Sequence, residues 1–232
     1  MDHGFKSGHR VLLIGDSITD AGRRDDEEGL GRGYVRLLRD LCTVLHPDLQ
    51  LEWVNRGIGG DTVRHLHARW QQDVLDLQPD WLSISIGIND VWRQLDKRAP
   101  GVDIETYESL YRELLDQVKE KTDARLILME PSVIGEDPES EGNRLLQPYV
   151  ACVQRLAIEY DAVLVPIHRA CLTYLKARRE PALTSDGVHL DGPGMALFAV
   201  EWLKATGLWK QHLGPPTSPG RHVTLGSRKS GL

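Results

Sequence analysis

Short apolar runs along the chain alternate with longer segments in which apolar residues recur every three or four positions. The runs are rich in Val, Leu and Ile, which is typical of buried parallel strands. The predicted strands are Val11–Ile14, Leu51–Val54, Trp81–Gly87, Leu126–Met129 and Ala162–Val165. The longer segments indicate helices with one buried face. The predicted helices are Tyr34–Leu45, Thr62–Leu77, Ile104–Glu120, Leu145–Tyr160, Ile167–Lys176 and Met195–Thr206.

The order of these elements predicts the fold class. Strands that are joined by helix-length segments pair in parallel through right-handed crossovers. We therefore expect an α/β protein, a three-layer α/β/α sandwich around a central five-stranded parallel sheet of the flavodoxin-like type. The chain of 232 residues shows no repeat and no internal linker, which indicates one domain over residues 1–213.

Residues 214–232 differ in composition from the rest of the chain. They include Pro215, Pro216 and Pro219, scattered Gly and Ser, and few apolar residues. This composition predicts an irregular C-terminal tail. The alternative is a tail that docks on a neighbouring subunit.

Composition and charge narrow the classes of function. Hydrophobic residues make up 41% of the chain and charged residues 27%, which is ordinary for a globular protein. The net charge of −6 offers no basic surface to nucleic acid or to an anionic membrane. No apolar run approaches the roughly 20 residues of a membrane span, and the first apolar run is too short for the core of a signal peptide. We expect no nucleic-acid partner and no membrane partner.

Cysteine usage points to a compartment. The three cysteines, Cys42, Cys152 and Cys171, are odd in number and lie in helix-like or strand-flanking segments. They suit reduced, buried thiols better than a disulfide framework. This favours a cytoplasmic location.

The first predicted strand ends abruptly at Gly15 and a run of small polar residues that contains Ser17. In open α/β sheets the ligand crevice lies outside the carboxyl ends of the strands, so Ser17 emerges where chemistry is expected. The alternative is an ordinary strand-to-helix turn in which Ser17 or Thr19 is the helix N-cap.

A late segment supplies an acid and a base. Asp186 and His189 follow the fifth predicted strand and lie three residues apart, which places them within reach of each other in a turn. The carboxylate would hold the imidazole by its Nδ1–H and leave Nε2 to take the proton of Ser17. The alternative for His189 is a surface or core histidine.

Acyl transfer also needs donors for the developing oxyanion. The loop after the second strand contains Gly57, Gly59 and Gly60, and Asn89 lies in the predicted loop after the third. A glycine lets the backbone N–H approach the substrate, while an Asn side chain and the Ser17 N–H are further donors. Each feature has a plainer explanation as a turn, but their coincidence at neighbouring strand ends favours a catalytic site.

Four blocks of sequence in this order resemble the SGNH (GDSL-type) hydrolase superfamily. They are Gly15-Asp16-Ser17, Gly60 before Asp61-Thr62, Gly87-Ile88-Asn89-Asp90, and Asp186-Gly187-Val188-His189. The resemblance implies the SGNH hydrolase fold, a nucleophile at Ser17 and a catalytic Asp186/His189 pair. It also implies an oxyanion hole formed by the Ser17 N–H, the Gly60 N–H and the Asn89 amide.

Several longer stretches resemble the bacterial cytoplasmic acetylxylan and xylo-oligosaccharide esterases of that superfamily. They are Ile14 to Asp20, Gly33-Tyr34-Val35, Asp61 to Arg64, Ala68-Arg69-Trp70 and Gly87 to Gln94. Two positions depart from those esterases: Ser185 stands where an aromatic residue precedes the catalytic Asp, and Leu190 stands where Pro often follows the His. The Ser185 departure affects sugar stacking more than the chemistry.

These features predict a serine esterase that removes small acyl groups, above all acetyl, from short acetylated sugars or similar alcohols through an acyl-enzyme. No metal and no cofactor are implied, because the histidines lack zinc-like spacing. Asp16 and Asp90 are expected to shape their loops. Trp92 and Arg93 are candidates for substrate contacts, with packing at the rim or a subunit contact as the alternative. The other five tryptophans are expected in the core or at an interface.

Two rival functions remain open at this point. A lysophospholipase or thioesterase of the same superfamily would need an apolar groove for a long acyl chain. A catalytically silent binding protein on this fold would not need Ser17, Asn89, Asp186 and His189 to be present together. We expect the partners to be a small acetylated substrate and further copies of the chain in a homo-oligomer.

Overall fold

A computed structural model of the chain describes residues 4–96, 100–178 and 180–209. Its five strands form one sheet in the order β2-β1-β3-β4-β5, and every neighbouring pair is parallel. The strands are β1 Arg10–Gly15, β2 Glu52–Asn55, β3 Trp81–Ser85, β4 Arg125–Met129 and β5 Val163–Val165. The predicted five-stranded parallel sheet is confirmed.

Helices cover both faces of this sheet. They are α1 Ser17–Asp20, α2 Tyr34–Leu45, α3 Val63–Asp73, α4 Ile88–Asp96, α5 Ile104–Lys121, α6 Glu141–Glu159, α7 Ile167–Ala177 and α8 Gly192–Ala205. Helices α2, α7 and α8 contact one another on one face, and α3, α5 and α6 do so on the other. This division follows from right-handed crossovers that run in opposite directions along the sheet. The β1–β2 connection runs one way, and the connections from β2 through β3 and β4 to β5 run the other way. The predicted three-layer α/β/α sandwich is confirmed.

The strand order reverses direction at β1, between β2 and β3. Residues Val11 to Ile14 of β1 are fully buried, because β1 has a strand on each side and helices on each face. Ligands in doubly wound sheets bind at such a switch point, outside the carboxyl ends of the strands. The residues that follow β1 and β3 therefore flank the expected crevice.

Several predicted boundaries were wrong, among them the start of α8, which is Gly192 rather than Met195. Residues 88–90, expected to be a loop, form the first turn of α4, because Gly87 turns the chain with a φ of +127° and the helix begins at once. Helix α6 begins at Glu141 rather than Leu145, since the Ser140 side chain caps it by accepting from the N–H of Asn143. Helix α3 ends at Asp73, and a 3₁₀ turn over Leu75–Leu77 completes the predicted segment.

The core contains the aromatic and thiol side chains that the sequence assigned to it. Trp70, Trp81 and Trp202 are buried, and Trp53 and Trp209 pack against the core while half-buried. Cys42, Cys152 and Cys171 are free and buried, and burial raises the pKa of their thiols to about 11, 12 and 12. Such thiols are weak nucleophiles at neutral pH.

Two further observations apply to the residues that the structure describes. None of their helices is long and apolar enough to cross a membrane. No group of three or more His, Cys, Asp or Glu side chains among them is arranged to hold a metal ion. The predicted tail at 214–232 lies outside the described residues.

Candidate active site

Ser17 is the first residue of α1 and lies directly past the end of β1. The N-cap of this helix is Asp16, whose Oδ1 accepts from the N–H of Ile18 at 3.0 Å. Thr19 instead bonds to the hydroxyl of Tyr34, so neither Ser17 nor Thr19 is the cap. Within the described part of the chain, neither the N–H nor the hydroxyl of the half-buried Ser17 has a hydrogen-bond partner. Both groups are left for a ligand.

Asp186 and His189 form the pair that their spacing predicted. Asp186 Oδ2 lies 2.7 Å from His189 Nδ1, and Oδ1 accepts from the N–H groups of Val188 and His189. Partial burial works against the charge of Asp186, but these hydrogen bonds outweigh it and hold its pKa at about 2. A charged Asp186 orients the imidazole and leaves Nε2 free.

The pair lies at the rim that carries Ser17. The ring of Trp92, on α4, contacts the His189 ring edge-on with 6.0 Å between centroids, and a charge on His189 acts on Asp16 beside Ser17. The structure records no hydrogen bond between the Ser17 hydroxyl and His189 among its described residues. Catalytic hydrogen bonds of this kind often close only in the complex with substrate.

Two further donors lie just past the ends of the strands beside β1, Gly60 after β2 and Asn89 after β3. Asn89 Nδ2 donates one hydrogen to the carbonyl of Asp61 at 3.0 Å and keeps a second hydrogen. Gly60 has a φ of +83°, and its N–H has no acceptor among the described residues. Together with the Ser17 N–H, these are the groups that the sequence names as oxyanion donors, and that role stays a prediction.

One arginine that had been assigned no role holds the loop around Gly60. The Arg69 guanidinium donates to Asp61 Oδ2 at 2.8 Å, to the Arg56 carbonyl at 2.8 Å and to the Gly15 carbonyl at 3.2 Å. It therefore ties the end of β1 to the loop after β2. Spacing in the sequence could indicate only its partner Asp73, which lies four positions after Arg69. The other three partners come close to Arg69 only in the folded chain.

Two buried carboxylates support the backbone of the site. Asp90 Oδ1 accepts from the N–H of Val63 at the start of α3, while Asp16 caps α1. Burial raises the pKa of Asp16 and of Asp90 to about 7. For Asp16, the negative charges of Asp90 and Asp61 act in the same direction. Their contacts are to backbone, in agreement with the loop-shaping role expected from the sequence.

Trp92, Arg93 and Ser185 contact the site's own residues. Trp92 lies against His189, and the Arg93 guanidinium donates to the carbonyl of Gly60. Ser185 is exposed, and its N–H donates to the His189 carbonyl at 2.9 Å. A role of Trp92 and Arg93 in binding substrate stays a prediction.

Comparison with known proteins adds independent findings. The model of the GDSL-like Lipase/Acylhydrolase family matches residues 13–197. An acetylxylan esterase of Geobacillus stearothermophilus is 39% identical over 209 residues, which cover 87% of this chain and 95% of the esterase. The thioesterase 1/protease 1/lysophospholipase L1 of Escherichia coli K12 is 28% identical over 193 residues, covering 83% of this chain and 80% of that protein.

Solved structures of two esterase or hydrolase enzymes are also similar to this chain. The crystal structure of Axe2, an acetylxylan esterase from Geobacillus stearothermophilus, matches with a TM-score of 0.82 at 37% identity, covering 88% of this chain and 96% of that one. LAE5, an alpha/beta hydrolase enzyme from the metagenome of Lake Arreo, matches with a TM-score of 0.81 at 35% identity, covering 88% and 97%. Axe2 has also been solved as catalytic mutants in which a serine, an aspartate or a histidine is replaced by alanine.

Proposed function

Because the chain belongs to the GDSL-like lipase/acylhydrolase family and is a carboxylic ester hydrolase, we propose that Ser17, His189 and Asp186 are its catalytic triad. The observation that carries this proposal is the 2.7 Å hydrogen bond in which Asp186 Oδ2 accepts from His189 Nδ1. It leaves Nε2, at the rim where Ser17 emerges, without a hydrogen-bond partner among the described residues. In the catalytic mutants of Axe2 the replaced residues are also Ser, Asp and His, and the last two lie three positions apart.

The proposed reaction has two halves. Ser17 Oγ attacks the ester carbonyl while His189 Nε2 takes its proton, and the resulting imidazolium then protonates the departing alcohol. A water next attacks the acyl-enzyme, gives its proton to His189 and releases the acid, after which the proton returns to Ser17. Asp186 stays ionised throughout, in keeping with its low pKa.

The oxyanion of each tetrahedral intermediate would be held by three donors. They are the backbone N–H groups of Ser17 and Gly60 and the remaining Nδ2 hydrogen of Asn89. Donors that are already fixed stabilise the developing charge without reorganising during the reaction. Support comes from the absence of an acceptor for these hydrogens among the described residues and from the contacts of Arg69 and Arg93 that hold the Gly60 loop.

The proposed substrates are acetyl esters of short xylo-oligosaccharides or similar sugars. The acetylxylan esterase shares 39% identity with this chain and is covered almost completely by it, whereas the thioesterase/lysophospholipase shares 28%. Trp92 and Arg93 border the site and are the proposed sugar contacts. Ser185 offers no aromatic face on which a sugar could stack. We therefore propose that Trp92 contributes more to sugar binding than it would if position 185 held an aromatic residue.

The remaining expectations stay proposals. The mechanism uses side chains and backbone groups alone, so it calls for no cofactor. A cytoplasmic location is in keeping with three buried free thiols. A homo-oligomer, and the division into a catalytic domain over 1–213 and a tail over 214–232, rest on the sequence.

The test is a substrate panel with labelling as its control. Acetylated xylo-oligosaccharides and simple esters are supplied to the protein, acetate release is measured, and a fluorophosphonate probe labels the active serine. We expect acetate release from the sugars, labelling of the wild type, and neither in Ser17→Ala. Labelling and simple-ester hydrolysis without sugar deacetylation would contradict the substrate proposal, and absence of labelling would contradict the triad.

A further inference from the structure

Something other than burial holds the Asp186/His189 pair in place. Their side chains are 48% and 42% exposed, so close packing does not fix them. They lie on a short hairpin that is closed by an isolated β-bridge between Thr184 and Leu190 and by the bond from the Ser185 N–H to the His189 carbonyl. A two-residue bridge alone is a weak support, and the hairpin therefore depends on what lies beside it.

The loop after β4 contacts this hairpin at two points. The N–H of Gly135 donates to the carbonyl of Gly187 at 2.7 Å. Glu136 Oε1 accepts from both the N–H and the hydroxyl of Thr184, each at 2.7 Å. The two points lie on either side of Asp186, so together they determine where the turn is held.

The Glu136 contact is the stronger of the two. Thr184 is buried, so its N–H and hydroxyl need acceptors inside the protein, and loss of an acceptor would leave both donors unpaired. Glu136 thus supplies the hairpin with a fixed point two residues before Asp186.

The loop itself is attached to a long helix. Asn143, in the first turn of α6, accepts from the N–H of Ile134 at 3.0 Å and donates to the carbonyls of Gly135 and Asp137. Ser140 Oγ donates to the Ile134 carbonyl at 2.7 Å. A residue that is held by a rigid element can in turn position another.

We propose that Glu136 is a positioning residue for the reaction. Through Thr184 it sets the orientation of the Asp186/His189 pair toward Ser17, while touching neither the substrate nor the reacting atoms. This proposal rests on the triad proposed above.

The test compares three variants of the full chain, each normalised by titrating the reactive serine with a fluorophosphonate. Glu136→Ala removes both bonds. Glu136→Gln removes the charge but keeps an amide oxygen, and since both bonds use Oε1 alone, it can preserve them. Glu139→Ala is the matched control, because Glu139 is an exposed acid in the same loop whose side chain makes no hydrogen bond or ion pair with another described residue.

For Glu136→Ala we expect kcat per titrated serine to fall by roughly 10- to 100-fold with KM changed less than about threefold, as for a misplacement of reacting groups by about 1 Å. The rate of fluorophosphonate labelling should fall in parallel, because it needs the same activation of Ser17. Glu136→Gln should recover most of the loss, and Glu139→Ala should match the wild type. If Glu136→Ala does not fold, Thr184→Val, which removes one of the two bonds, should show the same change at a smaller size.

Three results would overturn the proposal. The first is a kcat per titrated serine in Glu136→Ala that lies within twofold of the wild type. The second is a loss of kcat in Glu139→Ala as large as that in Glu136→Ala. The third is a Glu136→Gln variant as slow as Glu136→Ala, which would assign the effect to the charge of Glu136 rather than to its hydrogen bonds. A wild type that is neither labelled nor active on any ester would instead contradict the triad itself, before any variant is compared.

Discussion

At the scale of single residues, the proposed chemistry depends on groups that have no hydrogen-bond partner in the described part of the chain. The hydroxyl and N–H of Ser17, the N–H of Gly60 and one hydrogen of Asn89 lie at adjacent strand ends. Folded proteins pair nearly all their polar groups, so several unpaired donors in one crevice indicate a place where a ligand completes the bonding. Two substitutions separate their roles.

The first substitution removes the nucleophile. Since only Ser17 offers a covalent path in the proposed mechanism, Ser17→Ala should lower kcat by roughly 10⁶-fold, the size seen for loss of a triad serine in a protease. The thermal midpoint should hardly change, because the Ser17 side chain makes no hydrogen bond to other described residues and Asp16 still caps α1. Steady-state hydrolysis and a thermal melt measure the two effects. Hydrolysis close to that of the wild type would contradict the assignment.

The second substitution removes one oxyanion donor. Asn89→Ala should lower kcat by roughly 10²- to 10³-fold, the scale for one preorganised donor. Slow labelling by a fluorophosphonate should persist, because Ser17 and His189 are still present. Activity and labelling are measured on the same preparation. A loss of less than about tenfold would mean that Asn89 serves mainly to hold the Asp61 carbonyl.

The residues proposed to carry the chemistry could be named from the sequence, and those that hold them in place could not. Ser17, Asn89, Asp186 and His189 each follow a strand or occur at a spacing that has a chemical meaning. Arg69 and Glu136 act on partners that are far away in the chain, such as the carbonyl of Gly15, 54 positions from Arg69, and Thr184, 48 positions from Glu136. No local pattern records such contacts, since the fold alone creates them.

At the scale of elements, the starts of helices determine the geometry of the site. The periodic apolar stripes of α2 and α5 were read correctly, because twelve and eighteen residues give several turns of pattern. Helix α4 has nine residues and begins with the motif residues Ile88, Asn89 and Asp90, for which the sequence predicts a loop. Consequently Asn89 projects from a helical first turn, which fixes its side chain more firmly than a loop would.

The loop after β2 has an equally strict requirement at Gly60. A φ of +83° disfavours any side chain there, and an added Cβ would lie 3.2 Å from Arg93 Nη2. Gly60→Ala should lose about 1–2 kcal/mol of stability from strain and at least about tenfold in kcat as the donor moves. Gly29→Ala is the control, because Gly29 also has a positive φ of +67° but its Cβ would meet no atom within 4 Å.

The two variants should therefore lose similar stability and differ in activity. Urea unfolding and steady-state kinetics measure both quantities. Equal loss of activity in Gly29→Ala would show that strain alone, and not the position of the Gly60 N–H, accounts for the effect.

At the scale of the whole molecule, buried carboxylates link stability to pH. The pKa of Asp90 is about 7 in the folded protein, against 3.8 for the ordinary group, so the folded state binds more protons than the unfolded state between about pH 4 and 7. The free energy of unfolding should therefore fall as pH rises through that window and level off above it. Asp16 acts in the same direction.

A neutral replacement should weaken this dependence. Asp90→Asn keeps an oxygen that can accept from Val63 and removes the buried charge, whose Oδ2 has no partner among the described residues. When the pH is raised from 5 to 8, the free energy of unfolding of the variant should rise relative to that of the wild type by on the order of 2 kcal/mol, because one pKa unit corresponds to 1.36 kcal/mol. Urea unfolding at the two pH values measures this. A difference that does not change with pH would contradict the pKa assigned to Asp90.

The surface of the whole molecule also bears on acyl-chain length. The large apolar side chains that are exposed in the described residues, Val44, Leu145 and Ile158, lie on α2 and α6 rather than on the loops of the site. The groups proposed to act with Ser17 are polar, and Trp92 lies against one of them, His189. With a net charge of −6, the chain offers a fatty-acyl substrate or an anionic membrane little to bind.

We therefore expect kcat/KM to fall steeply from acetyl to butyryl esters and to be negligible for octanoyl esters. Each added methylene that finds no apolar surface forgoes about 0.8 kcal/mol of burial, and one that meets Trp92 or Arg93 also has to displace it. A series of p-nitrophenyl esters from C2 to C12 measures the profile, and Trp92→Ala, which opens the rim, should flatten it. Equal or rising efficiency up to C8 in the wild type would favour the lysophospholipase or thioesterase alternative, with Ser17, Asn89, Asp186 and His189 keeping their proposed roles.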